Sequence, residues 1–535
     1  MLLLLLALAA ASPISADRIR SDVEILSSDA FLGRGPGELG ETKAIGYIST
    51  QFAAAGLQPG GENGSWYQDV PLVRLDRQPG ATMSIRLGAW AKPLTPGQNA
   101  TLSLRNPGHT GLSDAPLVFA GYGVVDAKLG WDAYAGVDMR GKIAVVLAND
   151  PDFEAERDLG FDGRRLAFVG RVGTKFAAAE KAGAAGVLVI HEDAAASYPF
   201  LQLASGDALP AMVIAPIKPS LTFALSGWLS GDVAAELLGH AGLDLATLKV
   251  RARDPHFRAF PLEGVTLTAT GNLTATPILS HNVVGKLTGT SLSAEYVLYG
   301  AHWDANGQNG PVAGDGIRNG AVDNATGTAE VIEIARAFGR AGRPARTVLF
   351  AAWTAEEKGL LGSEYYASHP LYPLAQTAAV INLDPHVVLP AAKDVELIGG
   401  RRVSLEADLR RAAAARGLSV VDEPAVEAGW YFRSDQFSFA KRGVPAITFR
   451  AGRDLVDGGT GKGASLVADY NAKRYHQPSD EFDPLWTFAG TVQEASIAYD
   501  LGLGVASTTA WPQWNVGNEY GDLRNETNVL RPARP

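Results

Sequence analysis

Acidic and imidazole side chains follow the ends of several short apolar runs in this chain. His302, Asp304, Glu356, Glu357 and Asp384 follow such runs, whereas Asp323 lies in a glycine-flanked loop that opens a predicted helix and His476 comes later in the chain. Taken singly, each has an ordinary explanation, because an Asp that opens a helix is usually its N-cap and a Glu-Glu pair is usually a solvated surface. Taken together, they have the chemistry of metal ligands and of a general base.

The combination of these residues indicates a metal site. Carboxylates that crowd one cleft repel each other unless a cation neutralises them. The chain has no cysteine, which excludes disulfides, thiol nucleophiles and thiolate zinc sites. Two His and three carboxylates suit a pair of divalent ions such as zinc. Two ions about 3.5–4 Å apart need a bridging carboxylate, and such pairs serve hydrolysis by sharing an activated water.

The secondary-structure elements that position these residues are predicted from a repeated order of strand, loop and helix after Thr276. A helix is predicted from about Thr326 to Phe338, and apolar strands from Tyr296 to Tyr299, Val348 to Trp353, Val380 to Leu383 and Ala446 to Phe449. Continuous apolar strands that alternate with helices predict a mostly parallel sheet covered on both faces. Because ligands bind beyond the carboxyl ends of such strands, the polar residues should converge there.

The pattern differs on the N-terminal side of this region. Residues 17–56 have a helical pattern interrupted by the turn-rich segment Gly33 to Gly37. Between about Ser113 and Leu262, short β-branched runs alternate with glycine-rich turns around one helix, Thr174 to Ala182. This predicts a small β-rich insertion that contains an α/β element. Residues 506–535 are predicted to form an irregular tail packed by its aromatic side chains.

Composition limits the classes of partner. Apolar residues make up 46% of the 535 residues and charged residues 19%, which is enough to bury a large core. The net charge of −10 argues against nucleic acid or an anionic membrane surface as the main partner, since both recruit Lys and Arg. After the N-terminal run, no stretch reaches the ~18 uninterrupted apolar residues of a transmembrane helix, so no stable membrane anchor is expected.

The first residues have the pattern of a secretory signal. Leu2 to Leu6 and the Ala/Leu run to Ala11 form about ten apolar residues, too few to span a bilayer. Small residues follow as far as Ala16, where cleavage is plausible before Asp17. No Lys or Arg precedes the run, so a short core segment is the alternative. We expect residues 1–16 to be a signal peptide and the mature protein to be soluble, either secreted or periplasmic.

Five sequence blocks, in order and spacing, resemble the M28 family of di-zinc metallopeptidases. The blocks are His302-Trp-Asp304, Gly320-Ala-Val-Asp323-Asn324-Ala-Thr-Gly327, Thr354-Ala-Glu356-Glu357-Lys-Gly-Leu-Leu-Gly-Ser363, Ile381-Asn-Leu-Asp384 and Tyr475-His476. The resemblance runs from about Asp17 to Leu503. In addition, Gly121-Tyr-Gly123 and the region from Thr174 to Ile190 resemble the protease-associated (PA) domain that is often inserted in this family.

The resemblance implies a fold and a division into domains. The catalytic domain would be a three-layer α/β/α sandwich with a mostly parallel, mixed sheet, formed by residues 17–112 and 263–505. A β-rich PA domain would be inserted over residues 113–262, and residues 506–535 would form the C-terminal tail.

The resemblance also implies a ligand set. One zinc would be held by His302 and Asp384, and the other by Glu357 and His476. Asp323 would bridge the two ions. The implied cofactor is therefore two Zn²⁺ per chain.

Three further residues have roles implied by the resemblance. Glu356 would be the general base, and Asp304 would support His302 through its second ring nitrogen. Tyr475 matches a position whose hydroxyl stabilises the tetrahedral oxyanion in some members. For Tyr475, a packed aromatic ring beside the ligand is an equally weighted alternative.

The sequence departs from the family pattern in three places. Ala305-Asn306-Gly307 stands where relatives often have His-Leu-Gly, Gln436 stands where many have His, and Pro385-His386 follows Asp384 in place of the commoner Met or Gly. We expect His386, like His369 beside Pro370, to be a structural side chain. None of the departures removes a ligand, so they affect the expected substrate preference more than metal binding.

These inferences predict a secreted or periplasmic aminopeptidase whose partners are peptides with a free N-terminus. A metal-activated water, deprotonated by Glu356, would attack the carbonyl of the first peptide bond. A carboxypeptidase or dipeptidase of the same fold is one alternative. A non-catalytic binding protein on a peptidase scaffold is another, although such a protein has no physical need for the carboxylate cluster.

Overall fold

The computed structural model describes residues 13–531, except 156, 208, 218–222 and 313. The predicted signal peptide, residues 1–16, therefore lies almost entirely outside the described residues. The chain forms two compact units. The first is built from the chain up to Pro71, residues 279–423 and residues 431–535, and the second from residues 72–278 and 424–430.

The strands are labelled in chain order. They are β1 (Gln58–Pro59), β2 (Tyr67–Arg77), β3 (Thr82–Leu87), β4 (Trp90–Leu94), β5 (Ser103–Leu104), β6 (Gly108–Phe119), β7 (Val125–Asp126), β8 (Trp131–Asp132), β9 (Ile143–Leu147), β10 (Gly186–Ile190), β11 (Ala211–Ile214), β12 (Leu225–Leu229), β13 (Phe260–Leu287), β14 (Leu292–His302), β15 (Gly307–Val312), β16 (Asp315–Arg318), β17 (Arg346–Trp353), β18 (Thr377–Asn382), β19 (Asp394–Ile398), β20 (Ser419–Asp422) and β21 (Ala446–Ala451).

The helices are labelled in the same way. They are α1 (Ala16–Leu26), α2 (Leu39–Ala54), α3 (Val172–Lys181), α4 (Asp193–Ala196), α5 (Phe200–Gly206), α6 (Gly231–His240), α7 (Leu245–Arg251), α8 (Gly327–Ala341), α9 (Leu361–Ser368), α10 (Leu405–Ala415), α11 (Gln436–Ala440), α12 (Gly459–Lys473), α13 (Ala489–Ala506) and α14 (Gly521–Thr527). Within the described part of the chain, none of these helices combines the length and the apolar character needed to cross a membrane.

The first unit contains a mixed sheet with strand order β1–β13–β17–β14–β18–β21–β19–β20. Its central strands β17, β14, β18 and β21 are parallel neighbours, whereas β13 runs antiparallel to β17 and β19 runs antiparallel to β21. Every residue of β17, β18 and β21 is buried. Burial on both faces explains why these strands are continuous apolar runs in the sequence.

Helices cover both faces of this sheet. On one face, Tyr299 of β14 packs against Phe338 of α8, with ring centroids 5.9 Å apart. On the other face, Trp353 of β17 packs against Tyr366 of α9 and Phe439 of α11. The prediction of an α/β/α sandwich with a mostly parallel, mixed sheet is confirmed.

The second unit is rich in β-strands. Strands β6, β9, β10 and β12 are parallel neighbours, and β5 extends this sheet antiparallel to β12. Alternate residues of β10 enter two separate cores, Leu188 and Ile190 one core and Val187 and Val189 the other. Since side chains alternate along a strand, both faces of this sheet are covered.

The second unit contains the predicted insertion, residues 113–262, and extends beyond it at both ends. Strands β3 and β4 lie in this unit because β3 pairs with residues 265–270 of β13, and β4 pairs with β3. The separate segment 424–430 lies in the same unit, where Val426 accepts a hydrogen bond from the backbone N–H of Leu166.

The C-terminal segment is more ordered than the sequence predicts. It contains the short helix α14, and Trp514 is buried with its indole N–H donating to the carbonyl of Gly443 at 2.8 Å. The aromatic packing expected for residues 506–535 is therefore present, but the segment is not irregular throughout.

Candidate metal centre

Three adjacent parallel strands of the first unit bring predicted site residues to one edge of the sheet. β14 ends at His302, β17 ends shortly before the pair Glu356-Glu357, and β18 ends shortly before Asp384. Parallel neighbours have their carboxyl ends at the same edge, which is where α/β sheets bind ligands. Asp323 reaches this edge from the loop that leads into α8, and His476 from the segment after α12.

The predicted metal ligands form two groups of three residues, called the first and second donor groups, which share Asp323. One group is His302, Asp323 and Asp384, the other is Asp323, Glu357 and His476, and the donor atoms of each group lie within 4.8 Å of one another. Asp323 Oδ1 lies 3.1 Å from His302 Nε2, and Asp323 Oδ2 lies 3.2 Å from His476 Nε2. Asp384 Oδ1 is 3.7 Å from His302 Nε2, and Glu357 Oε2 is 3.2 Å from His476 Nε2. A single carboxylate therefore offers a different oxygen to each group.

The burial and the contacts of His302 show whether a cation fits the group formed by His302, Asp323 and Asp384. Its side chain is only 1% exposed, and among the described residues its Nε2 has no hydrogen-bond partner of acceptable geometry. The same nitrogen nevertheless faces the carboxylates of Asp323 and Asp384. A buried imidazole nitrogen directed at two carboxylates, with no sulfur nearby, fits the donor preferences of zinc and similar divalent cations.

The electrostatics of the site also fit a cation. Burial opposes protonation of His302, yet the charge of Glu356 and contacts with Asp304, Asp323 and Asp384 raise its pKa well above the usual value. The surrounding carboxylates thus attract positive charge strongly enough to overcome desolvation. A divalent cation would supply that charge and leave the imidazole neutral, as metal binding requires.

The two adjacent glutamates point toward different histidines. Ala355 has a positive φ of 52°, a left-handed conformation that is costly for a residue with a side chain and turns the chain at the end of β17. Glu356 Oε2 then lies 3.8 Å from His302 Nε2, whereas Glu357 Oε2 lies 3.2 Å from His476 Nε2. Only Glu357 belongs to a group of three, so the two carboxylates have distinct environments.

Asp304 connects the first histidine with the glutamate turn. Its backbone carbonyl oxygen lies 3.1 Å from His302 Nδ1, while its carboxylate lies 3.6 Å from that nitrogen. The carboxylate accepts a hydrogen bond from the backbone N–H of Glu356 at 3.0 Å. The Asp304 backbone is therefore closer to the His302 ring than its carboxylate is, and the carboxylate also holds the backbone of Glu356.

Tyr475 and His476 lie together after α12. Their rings stack with centroids 3.8 Å apart, and the Tyr475 hydroxyl lies 3.5 Å from Arg433 Nη2. His476 is 40% exposed and has a positive φ of 59°. The structure therefore places the Tyr475 ring against the candidate ligand His476, and its role as an oxyanion donor stays a prediction.

Asp480, whose role is not predicted from the sequence, holds the loop that carries Asp323. Its carboxylate accepts hydrogen bonds from the backbone N–H groups of Val322 and Asp323, each at 3.1 Å, and from the Tyr470 hydroxyl at 3.2 Å. Burial raises the pKa of Asp480 to about 7. In the sequence, only its position four residues after His476 could have indicated this role. A buried Asp and an exposed Asp cannot be told apart from the sequence there.

Arg34, in the glycine-rich turn, is a second residue whose role the sequence did not indicate. It is fully buried, and its guanidinium donates to the backbone carbonyls of Leu26, Trp303, Asn319 and Gly320 at 2.6–2.9 Å. Trp303 lies between His302 and Asp304, and Gly320 begins the loop that contains Asp323. One side chain thus joins two of the loops that form the site.

Replacing Arg34 with alanine should lower the free energy of unfolding by at least about 4 kcal/mol, because four carbonyls lose their donor and each costs about 1–3 kcal/mol when buried. Urea denaturation followed by circular dichroism measures this change. Arg410 is an exposed arginine that donates a hydrogen bond to the carbonyl of Val420, so Arg410→Ala is the matched control. This substitution should change the free energy of unfolding by less than about 0.5 kcal/mol. Equal effects of the two substitutions would contradict the structural role of Arg34.

None of the departures from the family pattern belongs to either group of three. Gln436 is buried and donates to the carbonyl of Tyr431 at 2.6 Å. His386 is also buried, its Nε2 lies 2.5 Å from Asn471 Oδ1, and burial holds its pKa well below the usual value. Asn306 accepts a hydrogen bond from Lys358 Nζ at 2.7 Å.

Two family models match this chain. Residues 282–499 match the model of peptidase family M28, and residues 113–216 match the model of the PA domain. The first match contains all five residues of the two donor groups. The second lies within the second unit.

Individual relatives resemble parts of the chain. A probable zinc metalloprotease from Pyrenophora teres is 38% identical over 108 residues, which cover 20% of this chain and 23% of the relative. A probable lipoprotein aminopeptidase, LpqL, from Mycobacterium tuberculosis is 29% identical over 266 residues, which cover 46% of this chain and 50% of the relative. The chain thus spans between about a quarter and half of the length of these curated relatives.

The chain is also similar to solved structures. The aminopeptidase from an Aneurinibacillus species aligns with a TM-score of 0.53 and 21% identity, covering 91% of this chain and 93% of that structure. At this level of identity the likeness shows a shared fold.

Proposed function

We propose that this chain, whose residues 282–499 belong to peptidase family M28, is a zinc-dependent aminopeptidase that hydrolyses the first peptide bond of peptides. The observation that carries the proposal is the position of Asp323, whose two carboxylate oxygens lie 3.1 and 3.2 Å from the imidazoles of two donor groups. The names of two relatives, a zinc metalloprotease and a lipoprotein aminopeptidase, support it.

The ligand set of the proposal is two zinc ions per chain. His302 and Asp384 would hold one ion, Glu357 and His476 the other, and Asp323 would contact both. When bound in such a site, zinc lowers the pKa of water to about 7 and polarises a carbonyl oxygen. The remaining residues of the site must then position the substrate and move protons.

Glu356 is the proposed general base. Its Oε2 lies 3.8 Å from His302 Nε2, next to the donor atoms but outside both groups of three. From there it can accept a proton from the attacking water as the C–O bond forms, and deliver that proton to the amide nitrogen as the C–N bond breaks. The hydrogen bond from the Glu356 backbone to Asp304 holds the base in place.

Tyr475 is the proposed donor to the oxyanion that develops on the substrate carbonyl. Its hydroxyl carries a proton at neutral pH, because the pKa of a tyrosine is ordinarily about 10 and burial raises that of Tyr475 further. Stacking on His476 fixes the ring beside the second donor group. A preorganised donor at this position would stabilise charge that forms only in the transition state.

Blocking the N-terminus of a substrate should reduce hydrolysis at least about tenfold, because the proposed reaction requires a free amine. Liquid chromatography of the tripeptide Leu-Gly-Gly, its N-acetyl form and its C-terminal amide measures this dependence directly. The amide should be cleaved at a rate similar to that of the free tripeptide.

The same three substrates decide between the alternatives. Cleavage of the acetylated peptide, with loss of activity on the amide, would show a carboxypeptidase. Stoichiometric zinc without hydrolysis of these substrates or of a broad peptide library would show a binding protein and would overturn the proposed activity.

A further inference from the structure

The second donor group lies in an open pocket that also contains a cationic side chain. The pocket is lined by Asp323, Glu357 and His476 together with Asn306, Arg318 and Gln477. Arg318 is the last residue of β16 and precedes the loop that carries Asp323. A substrate bound at the second donor group would therefore come close to this guanidinium.

Arg318 is buried without the hydrogen bonds that a buried guanidinium needs. Its exposed fraction is 8%, and among the described residues its Nε and Nη1 atoms have no hydrogen-bond partner. Leaving buried charged donors unpaired costs free energy, which proteins usually avoid by pairing them. Arg34 shows the usual outcome in the same unit, since its nitrogens all donate to carbonyls.

The neighbouring carboxylates do not serve as partners for the unpaired nitrogens of Arg318. The charge of Glu357 acts on Arg318, but Glu357 Oε2 lies 3.2 Å from His476 Nε2, in the second donor group. The Asp480 carboxylate, which also lines the pocket, accepts two backbone N–H groups and the Tyr470 hydroxyl. The Nε and Nη1 donors of Arg318, a residue that lines the pocket, are therefore left without a partner among the described residues.

We propose that Arg318 binds a carboxylate of the substrate, so that the enzyme prefers peptides with a carboxylate close to the scissile bond. The planar guanidinium matches a carboxylate in shape and charge. The carboxylate is either an Asp or Glu side chain or the terminal carboxylate of a very short peptide. This inference rests on the proposed peptidase function and names the substrate class of the same site.

Two matched substrate pairs test the proposal and distinguish the two sources. Glu-p-nitroanilide and Gln-p-nitroanilide differ in a side-chain carboxylate, and Leu-Gly and Leu-Gly-amide differ in a terminal carboxylate. In the wild-type protein, kcat/KM should be about ten- to a hundredfold higher for the carboxylate-bearing member of at least one pair, as expected for charge-assisted hydrogen bonds. The pair that shows the preference identifies the source.

Arg318→Gln should reduce that preference to near unity, mainly by raising KM for the carboxylate-bearing substrate. Arg318→Lys retains the charge without the planar fork and should give an intermediate ratio. Arg410→Gln, at an exposed arginine far in sequence from the site residues, is the control and should retain the wild-type ratio. Circular dichroism of each variant checks that it is folded.

The outcomes separate this inference from the function on which it rests. No hydrolysis of any of the four substrates would overturn the proposed function. Hydrolysis with equal kcat/KM within both pairs would leave the peptidase function intact and overturn the role of Arg318. A wild-type preference that persists in folded Arg318→Gln would overturn it as well, and the wild-type ratios remain decisive if that variant does not fold.

Discussion

Replacing Glu356 with glutamine should lower kcat by about 10²–10⁴-fold, the contribution typical of a general acid–base group, and should leave the metal content unchanged. At about 1.4 kcal/mol per decade this loss corresponds to roughly 3–5.5 kcal/mol. Glutamine retains the size and hydrogen-bonding capacity of the side chain but cannot accept a proton from water. The relevant geometry is that Glu356 lies beside the donor atoms without belonging to either group of three.

Glu357→Gln is the matched control, since it makes the same chemical change one residue away. Glu357 Oε2 lies 3.2 Å from His476 Nε2 within the second donor group, so this variant should lose metal and recover part of its activity in excess zinc. Steady-state kinetics and inductively coupled plasma mass spectrometry measure the two effects. Loss of metal in Glu356→Gln with retention in Glu357→Gln would mean that the roles are exchanged. Full turnover in both variants would contradict the mechanism.

Asp323→Ala should lose both metal ions and reduce turnover to the level of the chelator-treated wild-type protein. This carboxylate offers one oxygen to each donor group, so its removal takes a ligand from both sites at once. The wild-type protein should lose its activity on exhaustive chelation and regain it on addition of zinc, because the nucleophile in two-metal hydrolysis depends on the ions.

Asp384→Ala provides the comparison for Asp323→Ala. Asp384 belongs only to the group around His302, so this variant should retain about one equivalent of metal in the group formed by Asp323, Glu357 and His476. Metal analysis of the folded variants after dialysis distinguishes the two patterns. Two equivalents of metal in Asp323→Ala would contradict a shared carboxylate. Full activity of the chelated wild-type protein would contradict a metal-dependent reaction.

The sequence by itself determined the fold class and the convergence of the main site residues. Buried parallel strands are continuous apolar runs, and such runs end at Trp353 and close to His302 and Asp384. Since the carboxyl ends of parallel strands share one edge, local pattern was enough to predict that their polar residues meet. The predicted strand bounds differ from the observed ones by a few residues, as at β14, whose first residues are partly exposed.

Only the tertiary structure decided which atoms face one another and which buried charges support them. Arg34, Asp480 and Arg318 all lie in loops or at element ends, where sequence periodicity carries no signal about burial. Arg34 acts on loops near residues 303 and 320, and Asp480 acts on the loop at residue 322, so their partners are distant in sequence. Contacts of this kind depend on how the whole chain packs, whereas an apolar strand is recognisable from its own residues.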